Sequence, residues 1–189
     1  MGRFTRRVDQ YREPVRLIKF THACVRLEDG DRRLLIDPGI WTEREAYEGV
    51  TDVLVTHEHD DHIDIERIRS LLTSQELRIF APQAVRALVM EDNVGAAAAA
   101  AITSVAAGGT FTAGGFEVTT VGGKHAEIYE NLPGCANVGF IVEGAPARAF
   151  PIHDRMLSTD IGFDYIDAWM QAKGNTDYAR IPLGDAATV

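Results

Sequence analysis

Three histidines and three carboxylates fall within residues 57–62, whose sequence is His-Glu-His-Asp-Asp-His. Imidazole nitrogens and carboxylate oxygens are the ligands that zinc and similar divalent cations take in proteins. In extended chain His57 and His59 project to the same side, so both can bind one ion. Asp61 and His62 follow where the chain turns, and they can point at a second position. We predict a metal site here; the alternative is a solvated loop that happens to be rich in histidine.

The remaining histidines are candidates to complete this site. His125 and His153 each come just past a predicted apolar strand, and strand ends are where distant stretches of chain can converge. We predict both as metal ligands, against the alternative of structural histidines. His22 is predicted either at the edge of the pocket or as a structural hydrogen-bonding residue. Lys124 is predicted to meet an anionic substrate or to be a solvated surface lysine.

Strands and single helices must bring these residues together. Alternating or continuously apolar runs predict strands, and apolar residues at helical spacing predict helices. Strands are predicted at 15–20, 23–27, 33–36, 52–56, 77–81, 102–105, 110–111, 116–121, 137–142 and 149–152, and helices at 64–73, 83–90 and about 158–171. This mixture predicts an α/β domain in which a buried strand runs directly into the histidine cluster.

Length and composition indicate one domain in a chain of 189 residues, with 1–14 as a charged N-terminal extension and 15–189 as the domain. The net charge of -9 disfavours nucleic acid as a partner, because phosphate binding needs a basic surface. Cys24 and Cys135 do not suggest a disulfide framework. No apolar run is long enough to span a membrane, and none follows the basic N-terminus as in a secretory signal. We expect a cytoplasmic protein without a membrane partner.

Several stretches of the sequence resemble one known family. The residues Thr-His-Glu-His-Asp-Asp-His at 56–62 are similar to the signature of the metallo-β-lactamase superfamily, whose members are mostly hydrolases. Its ascorbate-phosphate-lactonase-like branch is resembled by FTHACVRLE at 20–28, LIDPG at 35–39, GKHA at 123–126, NVGFIV at 137–142 and the tail that begins with PIHD at 151–154. The resemblance covers nearly all of the chain after about residue 15.

This resemblance implies a fold and a set of ligands. The implied fold is the four-layer αβ/βα sandwich of the metallo-β-lactamase fold, with metals at one edge of the sheets. The ligands implied for the first metal are His57, His59 and His125, and those for the second are Asp61, His62 and His153. Asp37 is similar to the family's buried aspartate, which braces the histidine loop from behind the ligands.

The sequence departs from the family's pattern near the second metal. Members usually carry roughly fifty residues between the strand at 137–142 and the segment at 151–154, including an aspartate that bridges the metals, a strand and a helix. Here residues 143–148 join the two flanks directly, and no aspartate lies between Asp92 and Asp154. The resemblance therefore predicts a fold lacking one strand and one helix, with an open edge that a second copy of the chain could cover.

The leading hypothesis is metal-assisted hydrolysis of an ester, lactone or phosphoester bond in a small molecule. Zinc, as one or two ions and with manganese or iron as alternatives, would lower the pKa of bound water to about 7 and supply hydroxide. Asp61 would orient that hydroxide. Because the bridging aspartate has no obvious replacement, a second hypothesis is a metal-binding protein without turnover. A third, a nucleic-acid phosphodiesterase, is disfavoured by the net charge.

The substitution His59→Ala tests the metal assignment. It removes one imidazole from the cluster, so we expect metal stoichiometry and hydrolytic activity to fall together. Elemental analysis of the purified variant beside an assay of its rate measures both. Full metal content and an unchanged rate in His59→Ala would contradict the assignment.

Overall fold

The computed structural model describes residues 15–91, 95–125, 134–144 and 148–152, and it contains two β-sheets with helices against one of them. The predicted extension at 1–14, the predicted helix at about 158–171 and His153 lie outside the described residues. Within the described ranges, no helix combines the length and the apolar character that crossing a membrane requires.

The first sheet has six strands that lie side by side in chain order. They are β1 (Arg16–Lys19), β2 (Val25–Asp29), β3 (Arg32–Ile36), β4 (Asp52–Leu54), β5 (Arg78–Ala81) and β6 (Ile102–Ser104). The strands β1 to β3 are antiparallel, whereas β3 to β6 run parallel. Since parallel strands end at the same edge of a sheet, the loops after β3 and β4 emerge next to each other.

Between β3 and β4 the chain forms a 3-10 helix at Arg44–Tyr47, and α-helices make the crossovers from β4 to β5 and from β5 to β6. They are α1 (Ile65–Ser74), α2 (Gln83–Met90) and α3 (Gly95–Ala101). The helix α1 begins after Asp64, whose side chain accepts a hydrogen bond from the backbone N–H of Arg67 at 3.0 Å. This N-cap satisfies one of the free amides of the first turn and fixes where the histidine loop ends.

The second sheet has four antiparallel strands in the order β10-β9-β8-β7. They are β7 (Thr110–Ala113), β8 (Phe116–Gly122), β9 (Val138–Gly144) and β10 (Arg148–Ile152). The strands β9 and β10 form a hairpin in which Gly144 pairs with Arg148, so the flanks of the short connection are direct neighbours. That a segment is missing there relative to other family members stays a prediction.

Side chains of the first sheet face two separate cores, because successive residues of a strand point to opposite faces. Leu35 packs with the helices, while Leu34 and Ile36 pack against the second sheet. The core between the sheets includes Phe116 and Phe140, both fully buried. Helices, first sheet and second sheet are three layers of the predicted four-layer sandwich, and the predicted helix at about 158–171 lies beyond the described residues.

The strand and helix predictions are confirmed throughout the described part of the chain, with some ends shifted by a few residues. Two short elements were not predicted: a 3-10 helix at Arg44–Tyr47 and the helix α3. The sequence of α3 is GAAAAAA, which has no contrast between polar and apolar faces and therefore no helical periodicity to detect. Alanine's high helix propensity is its only local signal.

Candidate metal centre

The histidine loop starts at a point where the two sheets are tied together. After β4, the carbonyl of Thr56 accepts a hydrogen bond from the backbone N–H of Val138 at 3.0 Å, and Val138 begins β9. The loop then turns back at His59, whose carbonyl accepts from the N–H groups of His62 at 2.8 Å and Ile63 at 3.1 Å. This turn places His62 beside His57 instead of further along an extended chain.

Three imidazoles from two distant stretches of chain meet in the first group of donors. The Nε2 of His57 lies 3.0 Å from the Nδ1 of His59. The ring of His125 is centred 4.8 Å from that of His57 and 5.1 Å from that of His59, and one nitrogen from each residue lies within 4.8 Å of the others. Two nitrogens bound to one tetrahedral zinc at about 2.0–2.1 Å would be about 3.3 Å apart, so the arrangement fits a single cation.

His125 reaches this group because the chain after β8 continues along the chain before β9. The backbone N–H of Gly123 donates a hydrogen bond to the carbonyl of Asn137 at 2.8 Å, and the backbone N–H of His125 donates one to the carbonyl of Cys135 at 3.0 Å. His125 is half-buried, whereas its neighbour Lys124 is exposed. The pairing thus sets the position of the imidazole and leaves the lysine at the rim.

Behind the histidines, Asp37 is fully buried and accepts three hydrogen bonds. Its Oδ1 accepts from the backbone N–H of Thr56 at 2.7 Å. Its Oδ2 accepts from the hydroxyl of Thr56 at 2.8 Å and from the Nδ1 of His62 at 2.9 Å. A buried carboxylate is stable only when its oxygens are satisfied in this way, so Asp37 holds β4 and the histidine loop together.

These hydrogen bonds decide which ring nitrogens are available to a cation. Thr56 has one hydroxyl proton and donates it to Asp37, so towards the Nδ1 of His57, 2.9 Å away, it can only accept. The Nδ1 of His57 therefore carries the proton and its Nε2 keeps the lone pair. The same reasoning applies to His62, which donates from Nδ1 to Asp37 and keeps its lone pair on Nε2.

The electrostatics also favour a neutral His57. Burial, followed by the neighbouring imidazoles of His62, His59 and His125, lowers the pKa of His57 to about 3. A neutral imidazole is the form that binds metals. The residue is thus ready to act as a ligand at neutral pH without first losing a proton.

A second group of donors lies on the other side of His57 and contains His22, Asp61 and His62. The rings of His57 and His62 are centred only 4.1 Å apart, so the two groups are contiguous. Burial works to raise the pKa of Asp61, but the electrostatic interaction with the His62 imidazole and the hydrogen bond with His22 outweigh it and lower the pKa overall. Asp61 is therefore a carboxylate at neutral pH.

Next to the site, the loop after β3 packs closely against the histidine loop, and two residues adopt strained backbone conformations. A Cβ on Gly39 would lie 2.1 Å from the carbonyl oxygen of Asp61, so only glycine fits between the loop after β3 and the histidine loop. The backbone N–H of Ile40 donates a hydrogen bond to the carbonyl of Asp60 in the histidine loop. The carbonyl of Pro38 accepts one from the backbone N–H of Asp64, the N-cap of α1. His22 and Asp37 are the described non-glycine residues with positive φ, at 56° and 48°. Such strain persists where the surrounding contacts fix the backbone, often at functional sites.

The structure brings most of the sequence-predicted site residues to one place. Those that converge are His22, Asp37, His57, His59, Asp61, His62 and His125, with Lys124 at the rim and His153 outside the described residues. Whether each binds a metal stays a prediction. The sequence did not reveal that Thr56 and Gly39 help to build the site. The available signals were a threonine directly before His57 and a glycine after the Asp-Pro pair that follows β3. Sequence reasoning also missed Trp41, which is exposed and lies edge-on to His22 with ring centres 5.3 Å apart.

The chain belongs to the metallo-β-lactamase superfamily, since the family described as beta-lactamase superfamily domain matches residues 16–150. Among its relatives, Protein Rv0786c of Mycobacterium tuberculosis is 29% identical over 174 residues, which cover 88% of this chain and 78% of that protein. A UPF0173 metal-dependent hydrolase of Xanthobacter autotrophicus is 30% identical over 182 residues, which cover 90% of this chain and 72% of that protein. The predicted family and α/β fold are thereby confirmed.

Solved structures share the fold at low sequence identity. Igni18, a metallo hydrolase of Ignicoccus hospitalis, superposes with a TM-score of 0.52 at 18% identity and covers 74% of this chain and 60% of its own. CmlA, a diiron beta-hydroxylase of Streptomyces venezuelae, superposes with a TM-score of 0.53 at 19% identity, and the match covers 75% of this chain and 30% of CmlA. This chain therefore spans less than two thirds of either structure. Because a hydrolase and a hydroxylase share the fold, the fold alone does not fix the reaction.

The substitution Asp37→Asn tests the role of the buried carboxylate. Asparagine tolerates the positive φ at this position, but its amide cannot accept all three hydrogen bonds. We expect the affinity for zinc to fall by roughly 10–100-fold, as measured by competition with a chelating dye. The matched control is Asp31→Asn, which makes the same change at an exposed turn and should leave the affinity unchanged. Equal affinities in the two variants would contradict the assignment.

The lowered pKa of His57 predicts a dependence of stability on pH. Its value in the folded protein, about 3, lies below the ordinary value of 6.5, so unfolding takes up a proton between these two values. This contribution to the free energy of unfolding is complete above about pH 6.5 and is lost as the pH falls through that window. Urea unfolding of chelator-treated protein measures it. In His57→Gln the dependence should be flatter, and a slope equal to that of the unaltered protein would show that another group is responsible.

Proposed function

We propose that this chain is a metal-dependent hydrolase that cleaves an ester, lactone or phosphoester bond of a small molecule. The observation that carries the proposal is the group formed by His57, His59 and His125, whose donor nitrogens lie within 4.8 Å of one another. His57 and His59 come from the loop between the sheets, and His125 comes from beyond β8. The chain also belongs to a superfamily whose relatives include proteins named metal-dependent hydrolases.

The donor set suits zinc, with manganese or iron as alternatives, because neutral imidazoles with a carboxylate nearby fit a borderline-soft divalent cation. When bound, such an ion lowers the pKa of a coordinated water to about 7 and polarises an oxygen of the substrate. His57 keeps its lone pair on Nε2 because Thr56 occupies its Nδ1. Asp37 prevents the loop from rotating away, since it bonds both to Thr56 and to His62.

Asp61 is the proposed catalytic residue of the chain. Its carboxylate belongs to the second group, remains about one third exposed, and has a lowered pKa that keeps it ionised at neutral pH. In that position it accepts a hydrogen bond from the attacking water and orients it towards the substrate. Lys124, exposed beside His125, is proposed to meet a negative charge on the substrate.

The proposed substrate is a small molecule because the net charge of the chain is -9, which repels the phosphates of a nucleic acid. The cytoplasm is the proposed compartment, in keeping with Cys24 and Cys135, neither of which forms a disulfide. Burial raises the pKa of Cys24 to about 12, so that its thiol stays protonated and unreactive. Cys24 is therefore assigned no part in the reaction.

Metal removal and return test the proposed function. Purified protein is stripped with a chelator, reloaded separately with zinc, manganese or iron, and assayed on a carboxylic ester, a lactone, a phosphodiester and RNA. We expect the stripped protein to be inactive and at least one of the three small substrates to be cleaved after reloading. The stripped sample is the matched control for contaminating hydrolases.

Two outcomes would contradict the proposal. Reloaded protein that holds metal but cleaves none of the small substrates would indicate a metal-binding protein without turnover. Cleavage of RNA alone would indicate a nucleic-acid phosphodiesterase.

A further inference from the structure

The second group of donors has the composition of a metal site of its own. The Nε2 of His22 lies 2.7 Å from the Oδ2 of Asp61, and the Nε2 of His62 lies 3.6 Å from the same oxygen. One donor atom from each of the three residues lies within 4.8 Å of the others. The hydrogen bond from the Nδ1 of His62 to Asp37 leaves its Nε2 lone pair on the side of Asp61. Two nitrogens and one carboxylate oxygen thus converge on one point.

The turn that carries His22 is built to hold the imidazole in place. The ammonium group of Lys19 donates to the carbonyls of Phe20 and His22. Thr21 donates from its backbone N–H at 3.1 Å and from its hydroxyl at 2.6 Å to the carboxylate of Glu43. These contacts hold His22 at a φ of 56°, a conformation that is uncommon for residues other than glycine.

The strained conformation turns the imidazole towards Asp61 and His62, and its side chain remains 47% exposed. The ring of Trp41 lies at 71° to the imidazole, with ring centres 5.3 Å apart. A histidine that served only packing would have no need of a strained backbone and a half-exposed ring. Three protein ligands with an open side are the usual arrangement of catalytic zinc, which keeps a further position for water or substrate.

We propose that His22 is a protein ligand of a second metal ion, which it binds together with Asp61 and His62. The proposal deepens the proposed function and rests on it, because the second ion lies beside the first. Sequence analysis placed His22 no closer than the edge of the pocket. As a ligand, the Nε2 of His22 exchanges its hydrogen bond with Asp61 for a bond to the cation, and its proton moves to Nδ1. The second position then has three protein ligands among the described residues.

Zinc counting tests this assignment with zinc alone as the probe. Wild type, His22→Gly and Trp41→Ala are dialysed against the same low concentration of free zinc, and bound zinc is measured by elemental analysis. Glycine adopts positive φ freely, so His22→Gly removes the imidazole without straining the turn. We expect two ions in the wild type, one in His22→Gly, and two in Trp41→Ala, which removes the neighbouring ring but no ligand. Circular dichroism of each variant checks that the fold is retained.

A crystal structure of the zinc-loaded wild type gives the second measurement. The anomalous signal of zinc should show an ion about 2.0–2.1 Å from the Nε2 of His22 and also in contact with Asp61 and His62. Two ions retained in His22→Gly, or an ion at Asp61 and His62 that His22 does not touch, would overturn the proposal and leave the three-histidine site intact. A wild type that binds no zinc would overturn both this proposal and the proposed function.

Discussion

The hydrogen bonds of the buried Asp37 carboxylate are the interaction on which the site depends. Asp37 directly follows β3, and it accepts hydrogen bonds from Thr56 and His62 in the loop after the parallel strand β4. One carboxylate therefore fixes the distance between two loops and, through Thr56, the tautomers of His57 and His62. Without it, the backbone N–H and hydroxyl of Thr56 and the buried imidazole of His62 would lose their partner, and each unsatisfied group costs roughly 1–3 kcal/mol.

The strand order of the first sheet brings the Asp37 carboxylate close to Thr56 and His62. Because β3 and β4 are parallel neighbours, Asp37 and Thr56 leave the sheet at the same edge. Gly39 then allows the two loops to touch, and Val138 joins the loop to the second sheet. The chain that returns after β8 brings His125 to the same edge. The candidate metal centre therefore lies at the junction between two sheets, and no single segment could form it alone.

The sequence predicted much of this arrangement because its signals are local. Three histidines in six residues identify a ligand cluster, and apolar runs identify the strands that deliver it. The parallel pairing of β3 with β4 has no local signal, so the direct contact of Asp37 with Thr56 could not be read from the residues. The contact of His22 with Asp61 could not be read from the residues for a related reason. Its ring reaches Asp61 only because the turn at 20–24 adopts positive φ at a non-glycine residue, which sequence patterns do not reveal.

The central claim is that the imidazoles of His57, His59 and His125 share one cation. X-ray absorption at the zinc edge, on protein loaded with a single equivalent of zinc, tests it most directly. The account predicts a shell that includes three imidazole nitrogens at about 2.0–2.1 Å. A zinc coordination shell made only of oxygen atoms, or one that contains fewer than two imidazole nitrogens, would contradict the claim.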